Sequence, residues 1–176
     1  SRISAAARAA GRDPATISLL AVSKRQPLSR IREGLAAGLT DLGENYVQEG
    51  VAKISELGRE SARWHFIGQL QTNKTRDVAR WFDWVHRIDR LQVARRLSDL
   101  RRGPAEPLNL GLQIRLEDRE GRGGCAPGQA AELAAGISEL TGLRLRGLMA
   151  VPPVTGDPDE QRAWFRRLAT LQAALN

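Results

Sequence analysis

The stretch Ile17-Ser18-Leu19-Leu20-Ala21-Val22-Ser23-Lys24 decides how this chain of 176 residues is read. It is a short, continuous apolar run, β-branched at both ends, preceded by the turn signal Asp13-Pro14 and stopped by Ser23-Lys24. A run of this length between turn residues predicts a buried strand. A helix follows, with Pro27 near its start and Ile31, Leu35 and Leu39 on one face. Working outward, the same alternation recurs. Strand candidates lie at 40–42, 64–67, 84–88, 110–116 and 146–150, and helical patterns at 47–57, 74–81, 91–101, 129–140 and 159–175. Such a βα alternation predicts an α/β fold with a parallel sheet covered by helices, satisfied by a doubly wound sheet or a barrel. The stretch 117–128 is charged and glycine-rich and reads as a loop. No linker divides the chain, so residues 1–176 are expected to form a single domain.

Composition narrows the function classes. Apolar residues make up 41% and charged residues 27%, an ordinary balance for a globular protein. No apolar run approaches the roughly 18 to 20 residues that a spanning helix needs, and the Ala/Arg-rich start has no signal-peptide pattern. A lone Cys125 excludes an intramolecular disulfide and fits a reducing cytoplasm. The net charge of +7 rests on arginine, since the lysines are only Lys24, Lys53 and Lys74. Those arginines are spread over most predicted helices, with no aromatic-interleaved stripe and no groove-reading motif. This argues for a solvated surface and against a nucleic-acid-binding module.

In parallel α/β folds chemistry collects where strands end. Four polar clusters sit at such points: Ser23-Lys24, Gly43-Glu44-Asn45-Tyr46, His65-Phe66-Ile67-Gly68-Gln69 and Met149-Ala150-Val151-Pro152-Pro153. A lysine directly after a buried strand is expected to be partly desolvated, which frees its amine to attack an aldehyde. By position alone, such a lysine is more often an ion-pair partner than a Schiff base. Lys53, mid-helix between Glu49 and Glu56, reads as a solvated i,i+4 partner, and Lys74 as a residue near a helix start. Glu44 and Asn45 are candidates for capping the following helix, and Asp41 for its own loop. His65 suits a hydrogen-bonded core position as well as a ligand pocket, and Met149 suits space-filling.

Four motifs in order overturn that preference. Ala21-Val22-Ser23-Lys24, then Gly43-Glu44-Asn45-Tyr46-Val47-Gln48-Glu49, then Trp64-His65-Phe66-Ile67-Gly68-x-Leu70-Gln71-x-Asn73-Lys74, then Gly147-Leu148-Met149-Ala150-Val151-Pro152-Pro153 span the chain. Together they resemble the pyridoxal phosphate homeostasis protein family, whose barrel is similar to the N-terminal domain of alanine racemase. The resemblance implies a TIM-type (β/α) barrel, about six of whose eight βα units are present here. It implies pyridoxal 5'-phosphate as the cofactor, held by Lys24 as an internal aldimine. Asn45, His65 and Met149 match positions around the same barrel mouth. Arg122 stands where a family lysine is expected, and Gln69 replaces a commoner small or cyclic residue. Family members continue for two further units that hold the cofactor's phosphate, so this chain is expected to be a barrel cut short at its C-terminus, with an exposed strand at either edge.

The implied function is reversible binding and delivery of pyridoxal phosphate in the cytoplasm, with PLP-dependent apoenzymes as recipients and no robust catalysis. The competing enzyme reading is a PLP-dependent amino-acid racemase. That reaction needs acid/base groups on both faces of the substrate carbon. The sole tyrosine, Tyr46, lies inside the second motif, and no second domain is expected to supply another.

Overall fold

The computed structural model describes residues 1–102, 106–117 and 123–176. Six parallel strands, β1 (Ala21–Val22), β2 (Asp41–Glu44), β3 (Arg63–Phe66), β4 (Trp84–Ile88), β5 (Leu108–Gln113) and β6 (Leu143–Met149), pair in chain order. Helix α1 (Arg2–Ala9) precedes them. Helices α2 (Leu28–Ala36), α3 (Val47–Leu57), α4 (Thr75–Trp81), α5 (Leu91–Leu100) and α6 (Ala130–Ser138) fill the crossovers, and α7 (Pro158–Leu175) follows β6. Parallel crossovers are right-handed, so a strand order that never reverses puts every crossover helix on one face of the sheet. Successive contacts of α3 with α4, α4 with α5, and α5 with α6 agree. This is a barrel wall rather than a doubly wound sheet, which has helices on both faces.

The strand period of two then sorts the side chains. Leu42, Trp64, Phe66, Val85, Leu108 and Leu110 are buried with Ile54, Val78, Phe82, Leu97 and Ile137 in one continuous core. Phe66 meets Phe82 edge-on at 5.5 Å between centroids, a favourable aromatic geometry. On the opposite face Asp41, Arg63, His65, Trp84 and His86 are linked by hydrogen bonds and ring stacking, and Arg146 donates to Asn109. The inner face of the wall is therefore polar and aromatic.

The first strand corrects the sequence reading. Only Ala21 and Val22 form β1, and Leu19 and Val22 are 58% and 51% exposed. A run apolar on both faces predicts double burial, but β1 is an edge strand with a single neighbour, β2. Two other strands begin earlier than their patterns suggested. β5 starts at Leu108 and ends at Gln113, and β6 starts at Leu143, because Arg144 and Arg146 point away from the helix layer and interrupt the apolar signal. A register shift between Leu110 and Gly111 accommodates Gly147 at φ 148°.

Candidate functional site

Lys24 follows β1 in a tight turn closed by the Gln26 N–H donating to the Ser23 carbonyl at 3.0 Å. Arg25 adopts φ 59°, the left-handed region that costs a non-glycine residue about 1 kcal/mol or more. Contrary to the desolvation expected from a buried strand, Lys24 is exposed. Among the described residues no hydrogen bond or ion pair engages its amine, so the ion-pair use of this position is not the one adopted. Lys24 follows β1 at the same end of the sheet at which Asn45 follows β2. Among the described residues the buried Asn45 side-chain oxygen has no hydrogen-bond partner. Its backbone carbonyl lies so close to Gly68 that a Cβ there would come within 2.0 Å, so only glycine fits.

Lys53 is where the sequence reading fails most clearly. It is not solvated: it is 7% exposed and spends all three ammonium N–H groups inside the protein. They go to the Ser23 carbonyl at 2.7 Å, Glu44 Oε1 at 2.8 Å and Glu49 Oε1 at 2.7 Å. The i,i+4 pairing with Glu49 was correctly placed, but Glu56 pairs with Arg32 instead. Glu44 is no helix cap either. It is fully buried, accepts from the Ser23 hydroxyl at 2.6 Å as well as from Lys53, and leaves Oε2 without a partner. Burial raises the Glu49 carboxyl, but hydrogen bonds from Lys53 and the Arg25 N–H outweigh it and hold the group below the usual range.

On the inner face, His65 sits two residues below the level of Asn45, and both of its ring nitrogens are taken. Nε2 lies 2.9 Å from Asp41 Oδ1 and Nδ1 lies 2.8 Å from His86 Nε2. Asp41, far from capping a loop, is gripped by Arg63 through two N–H donors at 2.8 and 2.7 Å, and by the Thr40 hydroxyl. Burial alone would raise its carboxyl, yet these bonds hold it at about 2. An ionised Asp41 can only accept, so His65 carries its proton on Nε2, and its Nδ1 accepts from His86 Nε2–H. Burial lowers His65, and burial together with the neighbouring His65 ring pushes His86 down to about 4. His65, Trp84 and His86 also stack, with centroids 5.1 to 5.5 Å apart. His65 thus occupies the hydrogen-bonded core position, below the mouth.

Met149 ends β6 opposite Gln113, with its Cβ 3.4 Å from the Cβ position of Gly111. It shares the C-terminal strand edge with Lys24 and Asn45 but stands on the far strand of the sheet. Beside Asn45 a cavity of about 590 Å³ opens between the strand-end loops, lined by Tyr46, Gly68, Gln69, Lys74 and Arg90 among others. Arg122 lies outside the described residues. No group of His, Cys, Asp and Glu among the described residues could hold a metal ion, and no helix there is long and apolar enough to cross a membrane.

The model of the alanine racemase N-terminal domain matches residues 4–176. The pyridoxal phosphate homeostasis protein of Pseudomonas aeruginosa is 50% identical over 175 residues, covering 99% of this chain and 76% of the relative. The chain belongs to this family. Its counterpart in Escherichia coli is 49% identical over 177 residues. Among solved structures, PipY of Synechococcus elongatus with PLP bound superposes with a TM-score of 0.84 at 34% identity, covering 99% of this chain and 82% of that one. An alanine racemase of Clostridium difficile shares the fold, with a TM-score of 0.72 at 12% identity. The six strands are accordingly part of an alanine-racemase-like TIM-type barrel.

Among the described residues the exposed Lys24 amine and the buried Asn45 carboxamide oxygen have no hydrogen-bond partner, and the Ser23 carbonyl ahead of Lys24 is held by Lys53. The fixing residues Glu44, Glu49 and Lys53 were invisible to sequence reasoning as a group. The available signal was the Gly43-to-Glu49 motif itself, whose acidic residues read as surface.

Proposed function

We propose that this chain binds pyridoxal 5'-phosphate reversibly through Lys24 and takes part in keeping its supply, without robust catalysis of its own. The observation that carries the reading is the Lys24 amine, unengaged among the described residues, on its pinned turn in a chain whose relatives are named for pyridoxal phosphate homeostasis. The attack of Lys24 Nζ on the aldehyde carbon forms a C=N bond and releases water, which carries away the carbonyl oxygen and two protons. Hydrolysis reverses it, so the cofactor can be handed on. Asn45 lines the pocket beside the ring, Met149 closes the mouth from β6, and His65 supports the site from below through its bonds to Asp41 and His86. PLP-dependent apoenzymes are the recipients in this reading, and the cytoplasm its place.

The racemase reading finds less support. Likeness to alanine racemases at 12% identity concerns the fold alone, and Tyr46 is half-exposed ahead of α3. Addition of pyridoxal phosphate should give an imine absorption band, and borohydride should fix the ligand's mass on the peptide containing Lys24. Lys24→Ala should lose both. A variant that keeps the band refutes Lys24 as the binding amine. Recovery of activity by an added apoenzyme would test delivery.

A further inference from the structure

β1 is short, with two residues paired to β2. The turn that carries Lys24 is nevertheless held on both sides, by helix α3. Ahead of Lys24, the Ser23 carbonyl accepts from Lys53 Nζ at 2.7 Å, and the Ser23 hydroxyl donates to the buried Glu44. Behind it, the Arg25 N–H donates to Glu49 Oε1 at 2.5 Å. Lys53 bridges the two anchor points by bonding both carboxylates. The left-handed backbone of Arg25 is a strained conformation that persists only where its surroundings enforce it, and the Glu49 bond is the enforcing contact.

We propose that Glu49 and Lys53 are positioning residues for Lys24, with α3 clamping the turn from both sides so that the free amine is aimed at the ligand before it arrives. The inference rests on the reading of Lys24 as the binding amine. Pre-organisation of this kind raises the rate of bond formation, since less freedom is lost when the ligand reacts. Glu49 is a good point of attack because it is partly exposed, and its removal leaves the hydrophobic core untouched.

The test uses the whole chain as wild type, Glu49→Ala and Glu49→Gln. Amide hydrogen exchange at Arg25 reads the clamp without any ligand. It should be slow in the wild type and at least roughly tenfold faster in Glu49→Ala, as expected for loss of a charged acceptor. Timed borohydride trapping of pyridoxal phosphate on Lys24 should fall by about the same factor in Glu49→Ala. Glu49→Gln keeps an acceptor oxygen and should recover most of both. Unprotected exchange at Arg25 in the wild type overturns the clamp, whatever the variants do. Equal trapping rates in wild type and Glu49→Ala overturn the positioning role alone. A wild type that gains no mass on Lys24 overturns the binding reading, and the inference with it.

Discussion

Acidification from pH 7 to pH 5 should destabilise this protein through the histidine pair on the inner face, well before its carboxylates titrate. His86 is pushed from the ordinary 6.5 to about 4, by burial and by the His65 ring beside it. Its folded pKa lies below its unfolded one, so the unfolded chain takes the proton first. Stability is complete above about pH 6.5, falls as the pH drops, and stops falling near pH 4. With about 1.4 kcal/mol per pH unit, the interval from pH 7 to pH 5 removes about 1.8 kcal/mol for a sealed ring. His86 is only partly buried, and solvent screening reduces this to about 1 to 1.5 kcal/mol. For a chain of this size that is a fall in Tm of about 3 to 5 °C. His65, lowered by burial against the pull of Asp41, acts in the same direction. Arg63 opposes a charge on His65, whereas Asp41 and Asp83 favour one. His86→Gln places an amide N–H where Nε2–H was, keeps the bond to His65 and removes one titration. Thermal unfolding followed by tryptophan fluorescence at pH 7, 6 and 5 should show roughly half the wild-type slope in the variant. A wild type equally stable at pH 7 and pH 5, or a His86→Gln slope matching wild type, would refute the reasoning.

Further outcomes follow from the same contacts. Lys53→Met strips the buried Glu44 of its cation and should cost about 3 to 5 kcal/mol in urea unfolding, whereas Glu44→Leu combined with Lys53→Met should recover much of the loss; a harmless single change would exclude the buried pair. Gly68→Ala forces a methyl against the Asn45 carbonyl and should cost about 1 to 3 kcal/mol by the same measurement, with wild-type stability as the contrary result. Below pH 4 a second loss of stability should appear as Asp41 protonates, because its folded value of about 2 lies beneath the ordinary 3.8 and its contribution vanishes as the pH falls through that window. Arg63→Ala should flatten that acid limb, and an unchanged limb would show that Arg63 is not what holds Asp41 ionised.

The alternation of elements was legible because most strands obey simple burial rules. Residues 84–88 and 47–57 were bounded as observed, since a β-branched run and an amphipathic helix with nearby punctuation leave few alternatives. β1 was read too long because an apolar run marks side chains that tolerate burial, whereas only Ala21 and Val22 of that run pair with β2. The strand-end positions of Lys24 and Asn45 were also readable. The arrangement beneath them was not. Lys53, Glu44 and Glu49 have ordinary surface chemistry, and only the approach of α3 to β2 turns them inward. Likewise, nothing in the spacing of Asp41, His65 and His86 announces one hydrogen-bonded row, because each comes from a different position on neighbouring strands.

The enclosure of Lys53 bears on selectivity. An aldehyde that meets a protein surface normally finds many amines and is scattered among them. Here one of only three lysines has every N–H committed inside the fold, and the remaining positive charge is carried almost wholly by arginine. Guanidinium stays protonated at neutral pH and does not condense with carbonyls. The chain thus keeps a basic surface while offering few competing nucleophiles: among the described residues Lys24, and Lys74 at the cavity beside Asn45, are the lysine amines left uncommitted.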